Sequence, residues 1–474
     1  ARKINEAMKK AAAMALAGLQ FIDSEAWQET LLYQVGSVAY NYGSKYLLKA
    51  TVRRDGFSGF ARNNKTGIFP SLGVGWVLSE EPFFKVPAIN FLKIRGSYGE
   101  NGNKVARYSS LARVVAEDAS KYVFGDGGST VIGRSVSTLA NNDLRWERTR
   151  GINVGADFAL FNSRLDGNVE YYNSNTFDLL WSKVLPQTSG FGTVLTNLGQ
   201  LNNTGVEFML HGTPVRTPSL TWDVTVNFTR NQNKIVRLLG EDLDGDGKED
   251  DLIASGLFVG RSIGTIYNYQ VDGLWGLNDT RLAGFDPGSY RVIDQNGDGK
   301  ITPEADRIIL GRREPAYLFG IQNTVTFKNF TLRAFVNSIQ GGNDGYLSEN
   351  FPGGYNNTKG NATNANHFDF YRIWSPRNPD AKYPNPWVGT SVPAARAFYQ
   401  RNFVRLQDIS LSYNVDKRLL TRIGAQNLKL FVSGKNLLTF TPWDGWDPES
   451  NQGVASANAF PVLKSYSLGF EVSF

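Results

Sequence analysis

Ser465-Tyr466-Ser467-Leu468-Gly469-Phe470-Glu471-Val472-Ser473-Phe474 is the stretch on which the reading of this chain turns. Successive side chains of a strand point to opposite faces. Tyr466, Leu468, Phe470, Val472 and Phe474 therefore share one face, and Ser465, Ser467, Gly469, Glu471 and Ser473 share the other. Such a strand suits hydrocarbon on one side and water on the other. In a bilayer every backbone N–H and C=O must be paired, which leaves helices and closed barrels as the spanning structures. Taken alone, the segment equally suits a half-buried edge strand of a soluble sheet.

Its neighbours in sequence decide between the two. Gly151–Leu160 places Ile152, Val154, Ala156, Phe158 and Leu160 opposite Asn153, Gly155, Asp157 and Ala159. Leu220, Trp222, Val224, Val226 and Phe228 alternate with Thr221, Asp223, Thr225, Asn227 and Thr229. Leu165, Gly167, Val169 and Tyr171 alternate with Asp166, Asn168, Glu170 and Tyr172. Comparable runs lie near 31–41, 45–54, 67–79, 91–100, 200–213, 252–260, 263–275, 316–327, 329–340, 403–414 and 427–437. Altogether there are about fifteen, each near the ten residues that a tilted strand needs to cross a bilayer.

The connections alternate in length. Asn162-Ser163 and Phe327-Lys328-Asn329 are tight, whereas 101–147, 176–199, 234–251, 276–315, 341–402 and 438–462 are long. Bacterial outer-membrane barrels have short periplasmic turns and long extracellular loops. With Phe474 at the periplasmic side, parity sends every long connection outside. The fold expected is all-β, a transmembrane antiparallel barrel over 31–474, with 1–30 as a loop or short helix ahead of the strands. An odd strand count leaves the sheet unable to close on itself, so this chain is expected to supply the C-terminal strands of a larger barrel.

Composition agrees. No run approaches the roughly 18 apolar residues of a spanning helix, and the mean hydropathy is -0.30. Aromatics are 13% of the 474 residues and glycines number 49, which suits interfacial girdles and tight turns. There is no cysteine, which removes disulfide and thiolate chemistry. The charge of +6 arises from 50 basic and 44 acidic residues, too evenly mixed for a nucleic-acid footprint. Met8-Lys9-Lys10 followed by Ala11–Leu19 imitates a signal peptide, but an Ala-rich helix in a loop is the preferred reading.

Several stretches together resemble the SusC family of TonB-dependent outer-membrane transporters of Bacteroidetes-type bacteria. They are Tyr46-Leu47-Leu48-Lys49-Ala50-Thr51-Val52-Arg53-Arg54-Asp55-Gly56, Phe69-Pro70-Ser71 leading to Gly75-Trp76, and Leu92-Lys93-Ile94-Arg95-Gly96-Ser97-Tyr98-Gly99. Further on come Asn203-Thr204-Gly205-Val206-Glu207, Asp294-Gln295-Asn296-Gly297-Asp298-Gly299, and Val404-Arg405-Leu406 with Ile409–Tyr413. Gly434-Lys435-Asn436-Leu437-Leu438 and Asp447-Pro448-Glu449 complete the set. The resemblance implies a barrel of about 22 strands with a plug inside it, energised through a TonB box. Neither plug nor TonB box is recognisable in this sequence.

The candidate site residues fall in the long loops. Asp294, Asn296, Asp298 and the backbone carbonyl of Lys300 offer oxygens at alternate positions, with Gly297 and Gly299 where a calcium loop turns. Ala305 stands where a bidentate Glu belongs, and Asp306 follows it. A structural Ca2+ there competes with an Asx-turn network that needs no metal. Asp242-Leu243-Asp244-Gly245-Asp246-Gly247 with Asp250 has similar spacing. Tyr346, Tyr355, Tyr371, Trp374, Tyr383, Trp387, Trp443 and Trp446 sit among Asn, Asp and Gly, the mixture that stacks on and hydrogen-bonds a glycan. Loop packing or an interfacial girdle is the competing role for each of them. Inward carboxylates such as Asp157, Asp166, Glu170 and Asp223 are expected to solvate the wall or touch a plug.

Catalysis finds little support. His211 and His367 are isolated, no nucleophile elbow or phosphate loop occurs, and Gly73-Val74-Gly75 has Leu78 where a dinucleotide fingerprint needs its third glycine. The expected role is non-enzymatic import of oligosaccharides or oligopeptides. As the resemblance implies, import would use a SusD-like lipoprotein lid, the TonB complex, and a dimer of transporter and lid pairs in the outer membrane of a Gram-negative bacterium. A passive porin and a soluble calcium-containing glycan-binding β protein are the competing readings.

Overall fold

The computed structural model describes residues 27–115, 121–123, 130–342, 373–385, 397–420, 424–443, 447–449 and 462–474. The Ala-rich segment and four of the loop aromatics, Tyr346, Tyr355, Tyr371 and Trp387, lie outside these residues, as does Trp446. Chain order begins with β1 (Leu31–Tyr42), β2 (Tyr46–Phe57), β3 (Thr66–Val77) and β4 (Ile89–Asn103). Four short strands of the next loop follow, β5 (Arg113–Val115), β6 (Lys121–Val123), β7 (Thr130–Ile132) and β8 (Ser135–Thr138). After them come β9 (Glu147–Leu160), β10 (Leu165–Phe177), the small hairpin β11 (Leu180–Val184) and β12 (Thr193–Asn197), then β13 (Gln200–Arg216) and β14 (Leu220–Arg237). A second excursion carries β15 (Thr265–Tyr269), β16 (Val271–Leu274), β17 (Tyr290–Val292) and β18 (Arg307–Arg312). The chain finishes with β19 (Tyr317–Phe327), β20 (Phe330–Gln340), β21 (Phe403–Asn414), β22 (Asn427–Phe440) and β23 (Ser465–Ser473).

Thirteen of these strands form one antiparallel sheet in the order β1-β2-β3-β4-β9-β10-β13-β14-β19-β20-β21-β22-β23. Sequential neighbours pair throughout once the loop strands are set aside, as in an up-and-down barrel wall. Two of the segments expected as wall strands are corrected by this order. Residues 252–260 contain only an isolated bridge, Leu252 to Leu257, and 263–275 folds as β15 and β16, which pair with β18 and β17 instead. Their alternation is real, but it serves a small folded lobe between β14 and β19. Apolar periodicity reports two-sided burial, not which sheet provides it.

Register fixes the two faces. Leu430 lies opposite Phe470 and Val432 opposite Leu468, Phe208 opposite Phe228, and Phe228 opposite Phe319. Directly opposed residues share a face. The outward face is thus a largely apolar band, interrupted by Asn323 opposite Val224, and Leu468 and Phe470 are 87% and 70% exposed on it. The inward face carries Lys93, Asp157, Glu170, Glu207, Thr225, Asn227 and Ser410, as the same pairings require. A slip of one residue would send the charges into lipid.

Turns at one end are short. Residues 43–45 join β1 to β2, with Gly43 and Ser44 both near φ +57 to +58 and Lys45 N–H donating to Tyr42 O at 3.0 Å. Two left-handed residues in succession match the twist of the flanking strands. The stretches 161–164, 217–219 and 328–329 are comparably tight, and 415–426 contains a four-residue helix, Lys417–Leu420. The opposite end carries the connections 104–146, 178–199, 238–316, 341–402 and 441–464, so the longest connections leave the wall at one mouth.

Candidate functional site

The mouth is built from loops that pack on one another. In the excursion between β14 and β19, Tyr269, Trp275, Phe285 and Val292 form a buried cluster against Leu282 and Ile301. The segment 373–385 docks onto it. Asn385 N–H donates to Gly288 O at 2.8 Å, and the Trp374 indole lies where a Cβ on Gly288 would stand, 2.3 Å from Trp374 Cε3. Gly288 also has φ +84, so its lack of a side chain meets two needs at once. Between these segments runs a cleft of about 450 Å3, lined among others by Tyr269, Gln270, Tyr290, Lys382, Phe398 and Tyr399. Tyr383 and Tyr399 meet edge to face at 6.3 Å, and the Lys382 ammonium lies 5.1 Å from the centre of the Tyr399 ring. Aromatic planes flanked by an amide and a cation are the elements of a carbohydrate or peptide groove.

The aromatics singled out from sequence are distributed differently. Trp374, Tyr383 and Trp443 are buried at 3%, 4% and 7% exposure. They pack between loops, the role weighed against ligand contact for each of them. Trp443 is covered by the Arg401 guanidinium, 5.9 Å from its ring. Tyr290, Phe398 and Tyr399 were missed because single aromatics in mixed loop sequence carry no periodic signal.

Beside Trp443 sits a buried clasp. Arg405, on the inward face at the outer end of β21 and 1% exposed, donates through NH2 to Asp447 Oδ1 at 2.7 Å and through NH1 to Glu449 Oε2 at 2.6 Å. Its Nε donates to Thr439 Oγ1 at 3.0 Å. Thr441 Oγ1 donates to Asn402 O at 2.6 Å, and Gly341 N–H donates to Asn402 Oδ1 at 2.8 Å. One strand end thereby ties the loops after β20 and β22 to each other.

Both acidic loops adopt one turn network. Asp294 accepts from the N–H groups of Gly297 and Gly299 at 2.7 and 2.8 Å, and Asp298 accepts from Lys300 N–H at 2.8 Å. Asp242 accepts likewise from Gly245 and Gly247, and Asp246 from Lys248 N–H. The Asn296 amide, followed by the Lys300 N–H, holds the Asp298 carboxyl below its ordinary range. Asp306 is fully buried, with its two oxygens accepting from Gln295 and Thr302 N–H at 2.8 and 2.6 Å. In the other loop, carboxylate oxygens of Asp242, Asp244 and Asp250 lie within 4.8 Å of one another. Backbone hydrogen bonds thus occupy part of the oxygen set in each loop.

Down the inner wall, around β4, β9 and β10, several charges are paired. Lys93 reaches Asp157 at 2.9 Å, Arg95 bridges Asp157 at 3.1 Å and Glu170, and Asn153 donates to Glu170 at 3.0 Å. Nearer the short turns, His211 Nδ1 lies 2.8 Å from Asp166. Outside the spanning strands, hydrogen bonds from the Tyr46 hydroxyl and the Trp76 indole keep the Glu81 carboxyl below its usual range.

Residues 33–437 match the family model described as TonB dependent receptor-like, beta-barrel. The chain belongs to this family of outer-membrane β-barrels. Its members are receptors and transporters, not enzymes. TonB-dependent receptor P3 of Formosa agariphila is 34% identical over 94% of this chain and 46% of its own length. TonB-dependent receptor SusC of Bacteroides thetaiotaomicron is 28% identical over 95% of this chain and 44% of its own length. The chain therefore spans about half the length of the curated relatives it matches. Among solved structures, the RagAB peptide transporter has the same fold, with a TM-score of 0.73 at 23% identity, covering 94% of this chain and 48% of that one. For this TonB-dependent receptor barrel, the soluble glycan-binding reading falls away, since a lipid-facing apolar band and family membership agree on an outer-membrane wall.

Proposed function

We propose that this barrel serves TonB-dependent import of oligosaccharides or oligopeptides, with a SusD-like lipoprotein seated on the long-loop mouth. The supporting observation is the cleft between the two largest loop systems, where Tyr290, Phe398 and Tyr399 line a groove beside Gln270 and Lys382. Its aromatic faces suit the apolar side of a sugar ring or a peptide side chain, and its polar groups suit hydroxyls or carbonyls. The relatives named SusC and RagAB peptide transporter support the same reading. A dimer of transporter and lid pairs belongs to the proposal, as does a structural Ca2+ held by Asp294, Asn296, Asp298, Lys300 and Asp306. Oxygen-only donors of this spacing suit a hard cation. The metal would stiffen the lobe that forms one wall of the groove.

The test is accumulation of labelled oligosaccharide and oligopeptide pools by cells carrying the full-length protein and its neighbouring lipoprotein. Uptake should vanish when TonB is deleted, and Tyr290→Ala with Tyr399→Ala should lower it. Uptake that continues without TonB would establish the passive-porin reading instead. Calcium titration of the purified protein tests the metal: heat uptake or release lost in Asp294→Asn with Asp298→Asn supports it, and no heat in the parent protein rejects it.

A further inference from the structure

A second cleft, of about 410 Å3, opens on the outside of the wall at the mouth end of β9, lined by Asn64, Thr66, Arg145, Trp146, Arg148, Arg150, Phe177 and Asp178. Three guanidinium groups line it with one carboxylate, Asp178, and Glu100 stands beside it. Arg145 pairs with Asp178 at 2.6 Å, and Arg150 pairs with Glu100 at 3.1 Å while lying 5.3 Å from the Phe177 ring. The Arg148 side chain is half-buried and has no hydrogen bond or ion pair among the described residues. The cleft thus holds one uncompensated, partly desolvated guanidinium, flanked by two others that keep free N–H donors.

Its height is set by the strand register. Arg148 and Arg150 continue the outward row of Phe158, Ala156, Val154 and Ile152, because Arg148 pairs with Phe177 and Ile152 with Asn173. The apolar band ends at Ile152 beside Tyr98 and Tyr171, all three exposed. At about 3.3 Å per residue and a tilt near 40°, Arg150 and Arg148 stand about 5 and 10 Å beyond that edge. The polar layer of a bilayer leaflet is roughly 5–8 Å thick, so Arg150 stands within it and Arg148 just above it, where a long side chain can reach back down. Asn173, Asn175 and Asn202 extend a hydrogen-bonded amide patch at the same level.

We propose that the Arg145, Arg148 and Arg150 cleft binds the phosphate of a phosphorylated glycolipid head group in the outer leaflet. Guanidinium forks match phosphate oxygens bidentately. The Phe177 ring and Thr66 would sit against the sugar that carries the phosphate, and the acyl chains would descend along Ile152, Val154 and Tyr171. The inference rests on the outer-membrane location and not on the cargo, so failure of the uptake experiment leaves it standing.

The experiment is native mass spectrometry of the full-length protein in detergent, titrated separately with phosphorylated lipid A, its dephosphorylated form and inorganic phosphate. Lipid A should bind, the dephosphorylated form should bind about tenfold more weakly, and Arg148→Gln should lower lipid A affinity by a similar factor, as expected for one charge-assisted contact. Asp178→Asn releases Arg145 and should tighten binding; Asp178 has φ +56, a conformation that Asn accepts readily, so this variant keeps the turn. Heat-modifiable gel migration confirms that each variant is folded. Equal binding of both lipid forms, unchanged affinity in both variants, or inorganic phosphate binding as tightly as the lipid would each overturn the proposal.

Discussion

Replacing Arg405 with Ala should open the mouth without unfolding the wall. The guanidinium is 1% exposed and its two carboxylate partners differ, Asp447 being buried and Glu449 more than a third exposed at its side chain. Removing one partner of a buried ion pair costs about 3–5 kcal/mol, because the remaining charge stays desolvated. Among the described residues Asp447 then keeps the Glu449 N–H at 2.8 Å, while the Glu449 side chain regains water. The lower bound of about 3 kcal/mol therefore applies, equivalent to on the order of a hundredfold in the docking equilibrium of the loop. Hydrogen exchange of the full-length protein in detergent reads this directly: the Trp443 and Glu449 amides should exchange on the order of a hundredfold faster, with strand amides of β21 and β22 unchanged. Arg405→Lys should fall between, since an ammonium cannot fork between two carboxylates. Unchanged exchange in Arg405→Ala would refute the clasp, and equal acceleration throughout β21 and β22 would show that Arg405 supports the wall instead.

Three further outcomes follow from the register and turns. A Cβ on Gly205 would stand 2.3 Å from the Tyr172 phenol and 2.7 Å from Arg230 O, so Gly205→Ala should destabilise the barrel by about 1–3 kcal/mol and Tyr172→Ala should restore part of the loss, read as thermal unfolding in detergent. Phe228→Arg places a charge in the lipid band and should cost about 2–4 kcal/mol at mid-membrane depth, whereas Thr225→Arg on the inner face should cost far less; folding yield into lipid vesicles separates them. The Asp298 carboxyl is held below its ordinary value by the Asn296 amide and Lys300 N–H. Its contribution to the turn is therefore complete above the unfolded value of about 3.9 and is lost as pH falls through the lower folded one. Protection of the Lys300 amide should persist at mildly acidic pH and disappear only below that range, and early loss near neutrality would contradict the assignment.

The wall was legible residue by residue, because alternation has a period of two and each strand reports its own two faces. Tyr466 to Phe474 revealed outward and inward sets that the pairing with β22 reproduces. Gly205 and Arg405 were visible as parts of recurrent stretches, but their reasons were not. The first makes room for a phenol on the adjacent strand, and the second waits for carboxylates 42 and 44 positions later. The role of Trp374 was hidden for the same cause. Trp374 looks like a ligand platform in sequence and is a wedge against Gly288 in space.

By itself the sequence determined the antiparallel wall, the face of each strand and the end that carries the long loops, all properties of local period and spacing. Only the tertiary structure decided that 252–275 leaves the wall, that Tyr290, Phe398 and Tyr399 share a cleft, and that Arg148, without an ion pair among the described residues, stands beside Arg145 and Arg150 above the lipid band. Those facts depend on contacts between residues far apart in the chain. Burial and pairing of a loop side chain are set by what folds against it, and no pattern local to that loop encodes its neighbour.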